Sequence, residues 1–402
     1  MNEIEMQYIK IGDLCNVSSS KRVFARQYVD NGIPFYRQKE VIDKKNGNTI
    51  EEPIYISESD YNIFKAKFGV PANGDLLITA VGATLGIPYF VGNEQFYFKD
   101  GNLIWLSNFK EKLNSKFLYY WIDSSFGTQT LWNRTIGSAQ PALTIDSIKK
   151  LSIPVPSKAV QDKISTTLTT FDQIIENNNK RIKLLEQMAE NLYKEWFVRF
   201  RFPGYEDVEF EEKKPRGWQV VTEDKKHFTA TIFKYDEFKN IGSFLRGKNI
   251  TAAKMVEGDI PVISAGLQPS GYHNEANVFG ENLTISASGA NAGYLQYHLQ
   301  DIWAADCSYY QDDAIIWFVY NTLKFLQPVI INLQCGAAQP HVYPKNINKL
   351  CVLIPTEELI YKYNDFVKPY YDEIKILNQR NQSLTKQRDM LLPRLMSGKL
   401  EV

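Results

Sequence analysis

The chain has 402 residues, with 46 lysines and arginines against 46 aspartates and glutamates, so its formal net charge is zero. Hydrophobic residues at 44% and aromatics at 13% are enough for packed interiors, which argues against global disorder. The length exceeds one ordinary core, no charged-then-apolar signal opens the N-terminus, and the longest apolar run, residues 314–320, is far too short for a membrane span, so a soluble, cytoplasmic protein is expected.

From the N-terminus, basic residues cluster at Lys21, Arg22 and Arg26, at Arg37 and Lys39, at Lys44 and Lys45, and at Lys65 and Lys67. Short strand-like runs at residues 33–36, 54–56, 76–79, 89–91, 96–98 and 103–106 are separated by Gly, Asn and Pro turns, and residues 115–125 predict a helix capped by Ser115. The motif Gly137-Ser-Ala-Gln-Pro141 follows, and it returns about 200 residues later as Gly336-Ala-Ala-Gln-Pro340. At the same offset the series Ile164, Leu168, Phe171, Ile175, Asn178, Ile182, Leu185, Ala189, Leu192, Trp196 maps onto Tyr363, Val367, Tyr370, Ile374, Leu377, Asn381, Leu384, Arg388, Leu391, Leu395. Alternating steps of four and three residues predict a coiled-coil seam, with Ile175, Ile182, Leu185 and Leu192 facing Ile374, Leu377, Leu384 and Leu391.

Pro369 interrupts the second series, so each helical segment is expected as a short helix, a kink or cap, and then a long helix of roughly 40 Å at 1.5 Å per residue, about one turn of duplex DNA. Antiparallel pairing would set Asn178 against Arg388 or Asn381. The second half repeats the plan of the first, with strands expected at residues 260–263, 283–285 and 314–319 and a helix near 322–333. The expected fold is mixed α/β (α+β): two similar heads in a pseudo-twofold repeat, joined by two long helices in an antiparallel coiled coil. The boundaries are 1–156 for the first head, 157–203 for the first helical spacer, 204–355 for the second head and 356–402 for the second spacer.

Metal and disulfide frameworks find little support. Cys15, Cys307, Cys335 and Cys351 lack CxxC spacing, and His227, His273, His298 and His341 form no HExxH pair, so reduced thiols and no metal are expected. Gly242-Ser-Phe-Leu-Arg-Gly247-Lys248 has the spacing of a phosphate-binding loop, but Asn249 replaces the hydroxyl that would hold magnesium. A nucleotide-binding enzyme using that loop remains the alternative from another class. Asp207, Glu211 and Lys213, in an acidic stretch, fit an exposed linker better than a nuclease cluster.

The layout as a whole resembles a known family. The segments Ile153-Pro-Val-Pro156 and Gln161-Asp-Lys-Ile164, the long helix, the second head, and the string Gln387-Arg-Asp-Met-Leu-Leu-Pro-Arg-Leu-Met-Ser-Gly-Lys399 resemble the specificity subunit of type I restriction-modification systems. Ile11-Gly-Asp-Leu-Cys15 and Gly32-Ile-Pro-Phe-Tyr36 resemble the start of that family's target recognition domains, echoed by Gly258-Asp-Ile-Pro-Val262. The second head departs from the pattern: Val221 to Lys225 stand where a copy of the Ile11 opening is expected.

The resemblance implies a non-catalytic DNA-binding subunit with no cofactor of its own. It would read a split target in double-stranded DNA, one head per half-site, and dock methyltransferase subunits that use S-adenosylmethionine. Motor-nuclease subunits using ATP and Mg2+ could join, and a decoy subunit without active partners is a further alternative. Side chains able to meet base edges are Arg, Lys, Asn and Gln, with hydroxyls beside them. In the first head these point to Arg37, Gln38, Lys39, Thr79, Thr84, Arg134 and Gln140, and in the second to Gln268, Ser270, Tyr272, His273, Ser288, Asn291, Gln339 and His341. The loops 78–86 and 285–293 repeat one another, so their glycines serve equally as tight turns, and Gln140 and Gln339 equally as anchors.

Overall fold

The computed structural model describes residues 6–137, 141–212, 228–312, 314–336 and 340–396. Two compact units divide the chain: residues 1–177 with 381–402, and residues 178–380. Both long helices are therefore shared between units.

In unit 1 a four-stranded antiparallel sheet runs in the order Asn16–Ser18, Leu103–Ser107, Leu76–Thr79, Pro88–Phe90. Every residue of the two middle strands is buried, so their sequences lack the apolar-polar alternation of a half-exposed strand. A second small sheet joins Tyr28–Val29, Tyr55–Ile56, Ile33–Tyr36 and Tyr97–Phe98, the last pair parallel. The opening strand Gln7–Lys10 pairs with Ser152–Val155, which leads into the helix Lys158–Tyr193.

Unit 2 repeats this order with Leu245–Arg246, Cys307–Tyr310, Asn282–Ser286 and Leu295–His298. Its small sheet joins Gly271–His273, Ile260–Ile263 and Trp303–Ala304. The missing opening is present under a different sequence: Lys234–Glu237 pairs with Cys351–Ile354 as Gln7–Lys10 does with Ser152–Val155. The following turn matches too, with the Phe238 N–H donating to the Leu350 carbonyl at 2.8 Å and the Ile11 N–H to that of Leu151 at 2.9 Å. Residues 221–225, where the copy was sought, lie outside the described residues.

Three expected elements need correction. Residues 316–319 are not strand but the start of the helix Ile316–Phe325, because a short, wholly apolar run has no period that separates a buried strand from a buried helix. The expected helix at 115–125 is two helices, Ser115–Asp123 and Ser125–Trp132, and the first is capped by Asn114, whose side chain accepts the Lys116 N–H at 2.8 Å. Finally, no break occurs at Pro369: Glu357–Met396 is one helix of 40 residues. Asp365 and Pro369 are both exposed, so water reaches the carbonyl that proline leaves without its helical donor.

The helices run antiparallel. In unit 2 Arg181 pairs with Glu373 at 2.5 Å, while the Tyr363 hydroxyl donates to the Ala189 carbonyl at 2.9 Å. In unit 1 Arg388 pairs with Asp172 at 2.8 Å, and Ile164 and Leu168 share a core with Leu392, Leu395 and Met396. The predicted seam is partly displaced. Leu185, Ile374 and Leu377 are buried, but Ile175, Ile182, Leu192, Leu384 and Leu391 are only half-buried, and Tyr371 and Leu392 replace Tyr370 and Leu391 as the fully covered residues. The heads cause this. Tyr371 stacks on Trp317 of the second head at 3.5 Å between centroids, so burial extends beyond the stripe that a bare two-helix seam would cover.

Ile374→Ala should lower the unfolding free energy by about 2–5 kcal/mol in denaturant titration, whereas Ile376→Ala, two residues on and exposed, should change it by less than about 0.5 kcal/mol.

Candidate nucleic-acid interface

In unit 1 the buried strand Leu76–Thr79 opens into a glycine loop. Gly82 and Gly86 have φ of 78° and 88°, a region that disfavours any side chain. The Gly86 N–H donates to the Thr79 carbonyl at 2.8 Å, and the Thr79 hydroxyl accepts the Ile87 N–H at 2.8 Å while donating to the Thr84 carbonyl at 2.5 Å. The Gly82 N–H reaches the Pro141 carbonyl at 2.9 Å, tying the loop to the hairpin that Ile136 and Ala142 close with two bonds of 3.0 Å. A third segment braces it: Gln38 Nε2 donates to the Val81 carbonyl at 2.8 Å and to Thr84 Oγ1 at 2.7 Å.

Gln38 is placed by its helix, Gln38–Lys45, which begins where Glu40 Oε2 accepts the Arg37 N–H at 2.8 Å. Burial pushes the Glu40 carboxyl up, but the Arg37 guanidinium and backbone N–H groups outweigh this and hold it below its ordinary value.

Unit 2 builds the same knot from different side chains. Gly289 and Gly293 have φ of 75° and 87°. The Gly293 N–H donates to the Ser286 carbonyl at 2.8 Å, the Gly289 N–H to that of Pro340 at 3.1 Å, and Cys335 and His341 exchange two bonds of 2.9 Å. On this shared backbone Ser288 replaces Val81, Asn291 replaces Thr84 and His341 replaces Ala142.

The structure thus gathers Gln38, Thr79 and Thr84 at one loop, and Ser288, Asn291 and His341 at the other. Lys39 and Arg134 are exposed, the latter following the helix that leads into the hairpin. His341 stacks on exposed Tyr343 with centroids 5.9 Å apart. Gln268, Ser270, Tyr272 and His273 instead belong to the small sheet and its loop. Tyr272 and Gln268 are exposed there, and the Ser270 hydroxyl bonds to Ser264. Gln140 and Gln339 lie outside the described residues.

Two predicted contacts serve the fold instead. Thr79 is fully buried with its hydroxyl engaged twice, and buried His273 accepts the Val256 N–H on Nδ1 at 3.0 Å. The Thr79 hydroxyl and the His273 Nδ1 are thus engaged within the fold. The phosphate-loop alternative also fails on geometry. Leu245–Arg246 is an edge strand, and the N–H groups of Gly247 and Lys248 are spent on the carbonyls of Cys307 and Ala304, each at 2.9 Å, leaving no amide cradle.

Sequence reasoning missed one group. Asp306 accepts a hydrogen bond from Ser288 of the glycine loop and an ion pair from Arg246. Treating Arg246 as part of a phosphate-loop spacing concealed it; aligning the two sheets strand by strand would have revealed it. Among the described residues, no three His, Cys, Asp or Glu gather as a metal site, and no helix is long and apolar enough to cross a membrane.

Comparison with known proteins decides the family. The type I restriction modification DNA specificity domain matches the chain twice, over residues 3–187 and 231–386. The chain belongs to that family. It is 27% identical over 315 residues to the specificity subunit of type I restriction enzyme MjaIX of Methanocaldococcus jannaschii, covering 73% of this chain and 71% of the relative. A putative type I specificity subunit of Mycoplasma genitalium is 22% identical, covering 90% of this chain and 93% of the relative. The crystal structure of a type I restriction-modification S subunit from M. genitalium shares the fold, with a TM-score of 0.60 at 19% identity over 98% of this chain and 97% of that one. The two family matches fall on the two repeats, so each glycine-loop knot sits within a DNA specificity domain of this type I specificity subunit.

Thr79→Val, which removes the hydroxyl and strands the Ile87 N–H, should destabilise unit 1 by about 1–3 kcal/mol in denaturant titration while leaving DNA preference unchanged.

Proposed function

We propose that the chain reads a split DNA sequence, with one head on each half-site and the paired helices setting the unread spacer. The observation that carries this is the duplicated knot: one backbone framework, held by the same hydrogen bonds, presents Thr84 in one head and Asn291 and His341 in the other. A shared frame with different side chains suits two readers of different base sequence. Exposed Lys39 and Arg134, and Arg37 beside them, would supply phosphate contacts and register.

The chain would perform no chemistry and bind no cofactor. Methyltransferase subunits docked on the helices would use S-adenosylmethionine to methylate adenine, and motor-nuclease subunits would use ATP and Mg2+, all in the cytoplasm.

Exchanging residues 1–156 for the first head of another family member, co-expressing the methyltransferase subunits and mapping methylated adenines across the host genome tests this. The expected outcome is a changed base sequence in one half-site, with the other half-site and the spacer length retained. A change in both half-sites would overturn independent reading.

A further inference from the structure

We propose that Arg246 is a specificity-determining residue of the second head, reading a guanine in the major groove of its half-site; this deepens, and rests on, the function proposed above. Arg246 is the last residue of the edge strand Leu245–Arg246, and its side chain remains 41% exposed. Its guanidinium is held at one end. Nη2 pairs with Asp306 Oδ1, and Asp306 Oδ2 accepts the hydroxyl of buried Ser288, itself part of the glycine loop. The carboxylate is thus anchored to the loop before it meets the arginine.

Two consequences follow. Fixing one edge of a guanidinium removes much of the rotamer freedom that a long side chain loses on binding. Asp306 takes one of the two Nη2 hydrogens, and Nε and Nη1 have no partner among the described residues, so the second Nη2–H and the N–H parallel to it on Nε or Nη1 leave one planar fork that matches the O6 and N7 acceptors of guanine. A bare phosphate contact would need no such buttress, because a flexible cation meets a phosphate from many directions.

The other head lacks the arrangement at equivalent positions. Leu245 pairs with Tyr309 as Ser18 pairs with Trp105, so Arg246 corresponds to Ser19, whose hydroxyl donates to the Leu103 carbonyl at 2.8 Å. Asp306 corresponds to Asn102, since their carbonyls accept the matching N–H groups of Ala287 and Ala80. At these two positions only the second head carries an arginine and a carboxylate; in the first head the same two segments are bridged a few residues away, by Arg22 with Asp100 at 2.9 Å.

The test maps methylated adenines in a host expressing the full chain with its methyltransferase subunits, unsubstituted or carrying Arg246→Ala, Arg246→Lys or Asp306→Asn. The unsubstituted complex should require a G·C pair in the half-site of the second head. Arg246→Ala should relax that pair, lowering discrimination there roughly tenfold or more while sparing the first half-site and the spacer. Arg246→Lys keeps the charge but not the fork and should relax the same pair, and Asp306→Asn should do so partially. An unchanged motif in Arg246→Ala overturns the inference, as does uniform weakening with no relaxed position, which marks a phosphate contact or a structural ion pair. If Arg246→Ala yields no folded protein, an unchanged motif in Arg246→Lys overturns it equally. Absence of any split motif in the unsubstituted complex would instead refute the function on which the inference rests.

Discussion

Everything in each unit depends on burying a head against segments of two helices that are far apart in sequence. In unit 1 the core that holds Phe117, Leu118 and Trp121 also takes Ile164 and Leu168 from one helix and Leu392, Leu395 and Met396 from the other. In unit 2 the same role falls to Leu185, Ala189, Tyr193, Tyr363, Val367 and Tyr371. At about 25 cal/mol per Å2 of apolar surface, large side chains such as these outweigh any contribution from helix propensity, which is small per residue. The sheets, and the glycine loops at their ends, are positioned by that shared core.

The two junctions differ in chemistry at one corner. Lys116, second residue of its helix, lies over Phe90 at 3.9 Å and Tyr119 at 5.0 Å, while the Tyr120 hydroxyl and Arg388 both bond to Asp172, at 2.6 and 2.8 Å. Burial lowers the Lys116 pKa, against the pull of Asp172 and Glu176. At the corresponding places unit 2 has Trp317, Tyr297 and Tyr371, and the indole lies flat on the phenol with an interplanar angle of 3°. Lys116 and Asp172 are replaced by Trp317 and Tyr371. At this corner the first junction is cationic and hydrogen-bonded and the second is an aromatic stack, while both carry ion pairs elsewhere, Arg388 with Asp172 in unit 1 and Arg181 with Glu373 in unit 2.

Much of the architecture was legible in the sequence because duplication places two readings of one structure side by side. The Gly-x-Ala-Gln-Pro pair, the two glycine loops and the 4-3 series located both heads and both helices. What stayed hidden has physical causes. The helix Glu58–Phe68 carries its apolar residues sparsely, with only Tyr61 and Phe64 buried. The second opening strand, Lys234–Glu237, shares its pairing with Gln7–Lys10 but not its side chains. Pro369 gives the same local signal whether it lies on a wet or a dry face of a helix. At the site, residue type marked Thr79 and His273 as polar, but only three-dimensional packing shows the Thr79 hydroxyl and the His273 Nδ1 already in use, and only strand register brings Arg246 to Asp306.

Leu392, Leu395 and Met396 lie more than two hundred positions downstream of the strands they cover. A ribosome adding about 5–20 residues per second needs on the order of ten seconds or more to travel that distance. Throughout that interval the nascent first lobe lacks part of its lining, with Ile164 and Leu168 awaiting partners not yet made. The last turns of the second helix therefore act as a clasp, and completion of the first lobe's core waits on residues made long after its strands.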